Sequence, residues 1–530
     1  MKKILLLFTL ALASFNTAYA VVTWDGTSSE AWTNGSGTGA DPYLIETPAH
    51  LKYLSAQVGA GNTYEGVHFR QTDNFDLKSK TWTPIGTSTY KFAGVYDGGE
   101  RYISNLKTSQ YGLFGITENT KIVNLSIQGT YSSSNASVSA PLIGAAQGET
   151  EVINCHNHAV VNNACAGLVV SASGKSISFV KCSNHSNIDY SYSSGAVLGG
   201  LICQCDANII MNNCYNEGNL TSTSSNAEVT TVAGGLIGAV RSDMTIYQSY
   251  NLGNIKATSS SSNGSSSTFP ELNSYAAGLV GSFSQGNKGI IKDSYNRGSI
   301  TAVTYYSYTY GDETINAAGL VNGYCDIIAC YSNADISVST RYGTTSGYNK
   351  VTKNIFAISN GTLESCYAVG NVKINGAWSY SSQEINMPVR ASNTYHNLSS
   401  TGGTYKSEEI IKAPSMIPLL NTMDEFFTMD LEGINDGYPI LTWQKGTRYN
   451  INATCDPARG TVKGGGEYAL GNTVTLTATP KYGSTFVGWS DGNTDNPRTV
   501  TVEGDATYIA QFTKNNYTIY VNQDCTSYIE

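Results

Sequence analysis

The chain has 530 residues, a formal net charge of −9, 13% charged residues, 54 Gly and 36 Tyr. This is poor material for long amphipathic helices and good material for strands and turns, so a mostly β protein is expected. The acidic balance, with basic runs no longer than pairs, argues against nucleic acid or an anionic membrane surface as a partner.

Residues 1–20, MKKILLLFTLALASFNTAYA, read as a secretory signal peptide: Lys2 and Lys3, an apolar run from Ile4 to Ala13, and the small-x-small end Ala18-Tyr19-Ala20. The mature chain is expected to begin near Val21, to be exported, and to carry no membrane-inserted segment, because no later apolar run reaches about 18 residues. Residues 21–110 form the N-terminal lead-in and cap. Within them Thr47-Pro48 followed by Leu51 and Leu54 predicts a short helix with a Thr cap and Pro at its first position, covering an open sheet edge.

Between residues 111 and 448 one pattern returns. MNNCYNEGNL at 211–220, IYQSYNLGNI at 246–255 and IKDSYNRGSI at 291–300 belong to a set in which Cys155, Cys182, Cys214, Ser249, Ser294, Cys330 and Cys366 share one column. Three residues earlier stand Val152, Phe179, Met211, Ile246, Ile291, Ile327 and Leu363; six residues later stand Val161, Ile188, Leu220, Ile255, Ile300, Ile336 and Val372. A Gly-Leu marker or a close variant precedes each unit, at Leu113, Leu142, Leu168, Leu201, Leu236, Leu279 and Leu320. One side of the unit has nearly constant length and the other is elastic. Columns repeating together with an elastic side predict an all-β fold, a right-handed parallel β-helix whose coils stack at about 4.8 Å, followed by a small C-terminal β domain. A β-propeller blade needs about 40 regular residues, and sandwiches do not carry one column through successive units. In this reading the apolar columns face inward, Cys or Ser fills a narrow stack, Tyr covers the strand edge, and Asn-x-Gly turns a corner through positive φ.

Eleven Cys in an exported chain raise the question of disulfides, and an odd number leaves at least one thiol unpaired within a monomer. Stacked neighbours place Cβ atoms about 4.8 Å apart, whereas a disulfide needs about 3.8 Å. The column cysteines are therefore expected to be buried free thiols acting as small hydrophobes; Cys203 and Cys205 lie off the column.

Catalytic chemistry finds little support. Asp206, Asp293, Asp326 and Asp335 fall in different columns, and no His-Glu-x-x-His occurs. The expectation is a non-enzyme with no cofactor and no catalytic residue. His158 and His185 share a column on successive coils, about 5 Å apart and near bridging distance for a metal. That column continues as Glu217, Leu252, Arg297, Asn333 and Val369, which reads as a solvated face with an incomplete ligand set, so no metal is expected. The elastic segments 132–137, 221–230, 257–269, 302–313 and 339–350 follow one column and should leave the stack on one side. The Ser-rich tracts read as solvated loops. The Tyr tract reads as a ligand-binding strip, Tyr305, Tyr306, Tyr308 and Tyr310, with the last three sharing one face at about 6.6 Å between neighbours.

The units AGGLIGAV…SYNLGNI and AAGLVGSF…SYNRGSI resemble the GLUG motif repeats of exported bacterial proteins, especially surface proteins of Gram-negative gut bacteria. The stretch GTGADPYLIETPAHLKYLSAQV resembles the segment preceding such repeats, and GINDGYPILTWQ at 433–444 the segment closing them. MIPLLNTMDEFF predicts a second short helix that blunts the far sheet edge. Residues 449–516, with Ala478-Thr479-Pro480 and Phe486-Val487-Gly488-Trp489, resemble the divergent internalin-type B repeat; at 517–530, YTIYVNQDC echoes YNINATC and reads either as the start of a further repeat or as a tail whose strand completes this domain. The resemblance implies an adhesin-type β-helix. The function expected is that of an exported, surface-associated, adhesin-like protein presenting loops to a host or microbial glycan or surface protein. The alternative is a secreted polysaccharide-degrading enzyme, lyase or hydrolase, on the same scaffold.

Overall fold

A computed structural model describes residues 21–515, apart from 194, 226–228, 262–270, 307–312, 343–350, 376–381, 387–390, 393, 398–403, 447, 470–471 and 503. The chain divides into two compact units, with the boundary between Leu441 and Thr442.

The first unit is a stack of parallel coils. Val152 and Phe179 pair in register, as do Phe179 and Met211, Met211 and Ile246, Ile246 and Ile291, Ile291 and Ile327, and Ile327 and Leu363. All seven are buried. The column read from sequence is thus a physical column, and its side chains fill the core along the stacking axis. The parallel β-helix expectation holds. Cys155, Cys182, Cys214, Cys330 and Cys366 are fully buried free thiols. The helix at Pro48–Gly59 also forms, with the Thr47 hydroxyl accepting from the His50 backbone N–H and Leu51, Leu54 and Val58 buried beneath it.

Two details of the corner differ from the sequence reading. In Asn-x-Gly, the glycines at 218, 253 and 298 are not at positive φ. A Cβ on Gly253 would meet the Gly218 carbonyl oxygen at 1.9 Å, and one on Gly298 would meet that of Gly253 at 1.8 Å. Glycine is required because the backbone of the neighbouring coil presses on it. The left-handed residues stand instead just before the Cys/Ser column: Asn154, Lys181, Asn213, Gln248, Asp293, Ala329 and Ser365, with φ between 45° and 55°. The Asn of the motif points inward. Asn157, Asn184, Asn216, Asn251 and Asn296 are fully buried, and each of the first four donates its amide to the carboxamide oxygen of the next at 2.7–2.8 Å. A buried amide without such a partner would cost about 1–3 kcal/mol, so the ladder makes this polar column compatible with the core.

Tyr does not simply cover the strand edge. Tyr215, Tyr250, Tyr295, Tyr331 and Tyr367 form a continuous ring stack, with centroids 4.8–5.1 Å apart and planes within 7° of parallel. The coil repeat imposes this spacing, and stacked aromatic pairs contribute about 0.5–1.5 kcal/mol each beyond burial.

Beyond the second apolar column the coils open into two six-stranded parallel sheets. One includes Leu220–Ser224, Ile255–Ser261, Ile300–Tyr306 and Ile336–Tyr342. The other includes Val229–Gly234, Leu272–Ala277, Glu313–Ala318 and Val351–Phe356. Between them lies a buried hydroxyl layer in which Ser259 donates to Thr231 at 2.8 Å and Ser274 donates to the Val303 carbonyl at 2.6 Å. The elastic segments are in part these strands: residues 221–224, 257–261 and 302–306 continue the sheets, so Ser222, Ser224 and Ser259, expected in solvated loops, are buried instead.

The expected second helix is much shorter than its sequence. A 3-10 turn at Pro414–Met416 and a four-residue helix at Ile417–Leu420 end at Asn421, whose side chain bonds the backbone of Phe427 in both directions. The chain then crosses the outward side of the coils. Phe427 packs 5.7 Å from the Tyr367 ring, Asn333 donates to Asn435 at 3.0 Å, and Arg297 donates to the Ile434 carbonyl and reaches Asp436 at 3.4 Å. Asp430 holds the turn by accepting from the backbone N–H groups of Ile434, Asn435 and Gly437. This strap covers Tyr331 and Tyr367, both fully buried, whereas Tyr215 and Tyr250 are only partly buried.

In the second unit Arg448–Cys455 is flanked by Gly466–Ala469 and Ala506–Lys514, the latter pairing with Ser484–Trp489. A three-stranded antiparallel sheet of Gly460–Lys463, Thr473–Pro480 and Arg498–Thr501 completes it. Trp489, Leu476, Ile451 and Val502 form its core, and the indole N–H of Trp489 donates to the Asp495 carbonyl at 2.9 Å. The tail beyond residue 515 lies outside the described residues.

Candidate functional site

Two regions concentrate surface chemistry: the loop edge of the paired sheets and the outward columns beside the Cys/Ser stack.

At the loop edge, the strand Ile300–Tyr306 alternates strictly. Ile300, Ala302 and Thr304 are buried, while Tyr305 is 41% exposed. The strand pairs Tyr305 with Ser260 on one side and Arg341 on the other. Of the four tyrosines expected to bind, Tyr305 is therefore placed at the surface. Tyr306 ends the strand, in register with Ser261 and Tyr342, and its side chain lies outside the described residues, as do Tyr308 and Tyr310 altogether.

The outward columns hold a cluster that sequence reading saw only in part. His158 and His185 do meet, as parallel rings 4.1 Å apart. Stacked face to face, their ring nitrogens lie in parallel planes rather than converging, and among the described residues no group of three or more His, Cys, Asp or Glu side chains is arranged to hold a metal. Around them the next column contributes His156 and Ser183, which pair in register across neighbouring coils. Ser183 Oγ lies 2.7 Å from His156 Nδ1 and 2.9 Å from His185 Nε2. His185 Nδ1 lies 2.6 Å from Glu217 Oε2. The signal was available: His185 and Glu217 are successive members of one column, and stacked coils bring column neighbours within reach of a hydrogen bond.

Ser183, His185 and Glu217 have the connectivity of a hydrolytic triad: a hydroxyl on an imidazole that a carboxylate orients. Access is what they lack. Ser183 is fully buried, so no substrate carbonyl reaches its oxygen. The scattered carboxylates are engaged separately: Asp206 with Arg241 at 3.0 Å, and Asp335 with the amide of Asn371 at 2.9 Å.

The charges in the cluster are strongly biased. Burial first, then the neighbouring His185 and His156, push the His158 imidazole down to about 4. Burial, with His185 second, also lowers His156. The hydrogen bond from His185 holds Glu217 below its ordinary carboxylate range.

Residues 437–516 match the family described as the divergent InlB B-repeat domain, so the match begins within the strap and runs through the second unit. A curated relative, a candidate Gly-rich membrane protein of Evansella cellulosilytica, is 33% identical over 147 residues; the match covers 26% of this chain and 15% of that relative's length. The crystal structure of a candidate immunoglobulin A1 protease from Bacteroides ovatus aligns with 78% of this chain and 95% of its own, at 16% identity and a TM-score of 0.36. Among the described residues no helix is long and apolar enough to cross a membrane.

Proposed function

We propose that this protein is an exported, surface-associated, adhesin-like binding protein of a Gram-negative bacterium, whose coil stack presents the loop edge around Tyr305 to a glycan or surface protein. The observation that carries this reading is the paired-sheet edge: the stacked strands Leu220–Ser224, Ile255–Ser261, Ile300–Tyr306 and Ile336–Tyr342 end along one edge, and Tyr305 stands exposed beside the end of its strand. Binding residues held on loops by a rigid scaffold are a common arrangement, and tyrosine offers amphipathic contact area at low entropy cost. The B-repeat match in the second unit and the GLUG-like repeats support placement at the cell surface.

The test is a glycan and matrix-protein array probed with the mature protein and with a variant in which Tyr305, Tyr306, Tyr308 and Tyr310 are replaced by Ser. Binding by the parent and its loss in the variant, at an unchanged thermal midpoint, is the expected result. Full binding by the folded variant would remove this site, and oligosaccharide released from a glycan would favour a degrading enzyme instead.

A further inference from the structure

A chain of hydrogen bonds runs through five successive coils and ends in a carboxylate on each side. Asn124 donates from its amide to Asp97 at 3.0 Å, and Asn154 donates to the carboxamide oxygen of Asn124 at 3.0 Å. His156 Nε2 lies 3.0 Å from the Asn154 carboxamide oxygen. From His156 the chain continues to Ser183, to His185 and to Glu217, as described above.

Directions along this chain are set from its ends. An ionised carboxylate only accepts, so Asp97 orients Asn124, which in turn orients Asn154 with its oxygen facing His156. Glu217 likewise requires a proton on His185 Nδ1. Between the two carboxylates stand Asn124, Asn154, His156, Ser183 and His185, each of which in its neutral form supplies one donor to the chain. The links number one more: Asp97–Asn124, Asn124–Asn154, Asn154–His156, His156–Ser183, Ser183–His185 and His185–Glu217. With every group neutral, one link must bring two lone pairs face to face at hydrogen-bond distance. One additional proton satisfies all of them.

We propose that this relay stores that proton as an imidazolium on His185, clamped between Glu217 and Ser183. His185 then donates from both ring nitrogens, Ser183 donates to His156 Nδ1, and His156 donates from Nε2 to Asn154. The groups facing the relay agree with this placement. His158, stacked on His185, and His156 are both biased toward neutrality, and Glu217 toward the carboxylate. Tyr215 presents its ring edge-on to His185 at 5.4 Å, with its hydroxyl 3.5 Å from Nε2. At the far end Arg70 lies 3.8 Å from Asp97. One consequence is that His185, already protonated at Nε2, cannot act as a base toward Ser183, so the triad-like geometry is a clamp across coils.

The test is nitrogen NMR of the full mature chain labelled in its histidine rings. At pH 7 the wild type should show His185 protonated on both ring nitrogens, with His156 neutral and in its Nε2–H form; a neutral His185 would overturn the proposal without any variant. Asp97→Asn, three coils away from His185, separates a relay from a simple ion pair. The new amide can donate to Asn124 by giving up the Gly99 backbone N–H, which the same Asp97 oxygen accepts at 2.9 Å; this reverses each link so that neutral rings satisfy the rest of the chain, and His185 should lose its second proton at a pH lower by about half to one unit, the scale of one hydrogen bond. Ser183→Ala in the same background cuts the chain and should abolish this remote shift. A His185 titration in folded Asp97→Asn that matches the wild type would refute the relay.

Discussion

The carboxamide of Asn435 donates to the hydroxyl of Tyr367 at 2.7 Å, joining residues 68 positions apart. Tyr367 in turn donates to the Pro439 carbonyl, so the end of the tyrosine stack and the strap complete each other's hydrogen bonding.

Asn435 is fully buried, and replacing it with Ala would leave Asn333 without its partner in the strap and Tyr367 without its donor. Asn435→Ala is expected to destabilise the first unit by about 1–3 kcal/mol, the cost of stranding buried polar groups, and to speed proteolysis between residues 424 and 441. Thermal denaturation and limited digestion read both; an unchanged midpoint would mean that the strap is held without Asn435, by Phe427 on Tyr367 and by Arg297 on Ile434 and Asp436.

Thiol chemistry tests the stacked column. Burial pushes Cys155 and Cys366 up to about 12 and raises Cys182 and Cys330 as well. The reactive thiolate is thus nearly absent at pH 8. Native protein should leave these cysteines unmodified by an alkylating reagent over hours, while denatured protein should react fully without prior reduction. A mapped disulfide between Cys155 and Cys182 would contradict the column geometry.

His158 supplies a pH dependence of definite sign. Its imidazole is held down to about 4 in the fold, against an ordinary value of 6.5, so between these limits the unfolded chain binds more protons. Stability is fully present above pH 6.5 and falls as the pH drops toward 4. Because the ring is half-exposed, the expected loss is about 1 kcal/mol after allowing for solvent screening. Urea midpoints at pH 7 and pH 4.5 should differ in the wild type and differ less in His158→Gln.

Much of the first unit was legible because a coil stack converts sequence period into spatial neighbourhood. Val152, Phe179 and Met211 could be aligned by eye, and register then followed, since stacked parallel strands leave few other ways to bury one column. The same logic placed His158 over His185. It did not extend to Ser183, because a lone Ser among tyrosines and histidines carries no pattern of its own. It also missed the reason for Gly253, where a neighbouring carbonyl, invisible in the local sequence, excludes a side chain.

Sequence alone determined the repeat, the inward columns, the capped helix at Pro48–Gly59 and the separate strand pattern after Tyr449, all of which follow from local periodicity and turn chemistry. Tertiary structure alone decided that residues 424–441 lie across the outward tyrosines, and that seven polar residues on five successive coils form one chain of hydrogen bonds. Both depend on contacts between segments far apart in the chain. Their partners are selected by direction and distance, which periodicity does not encode.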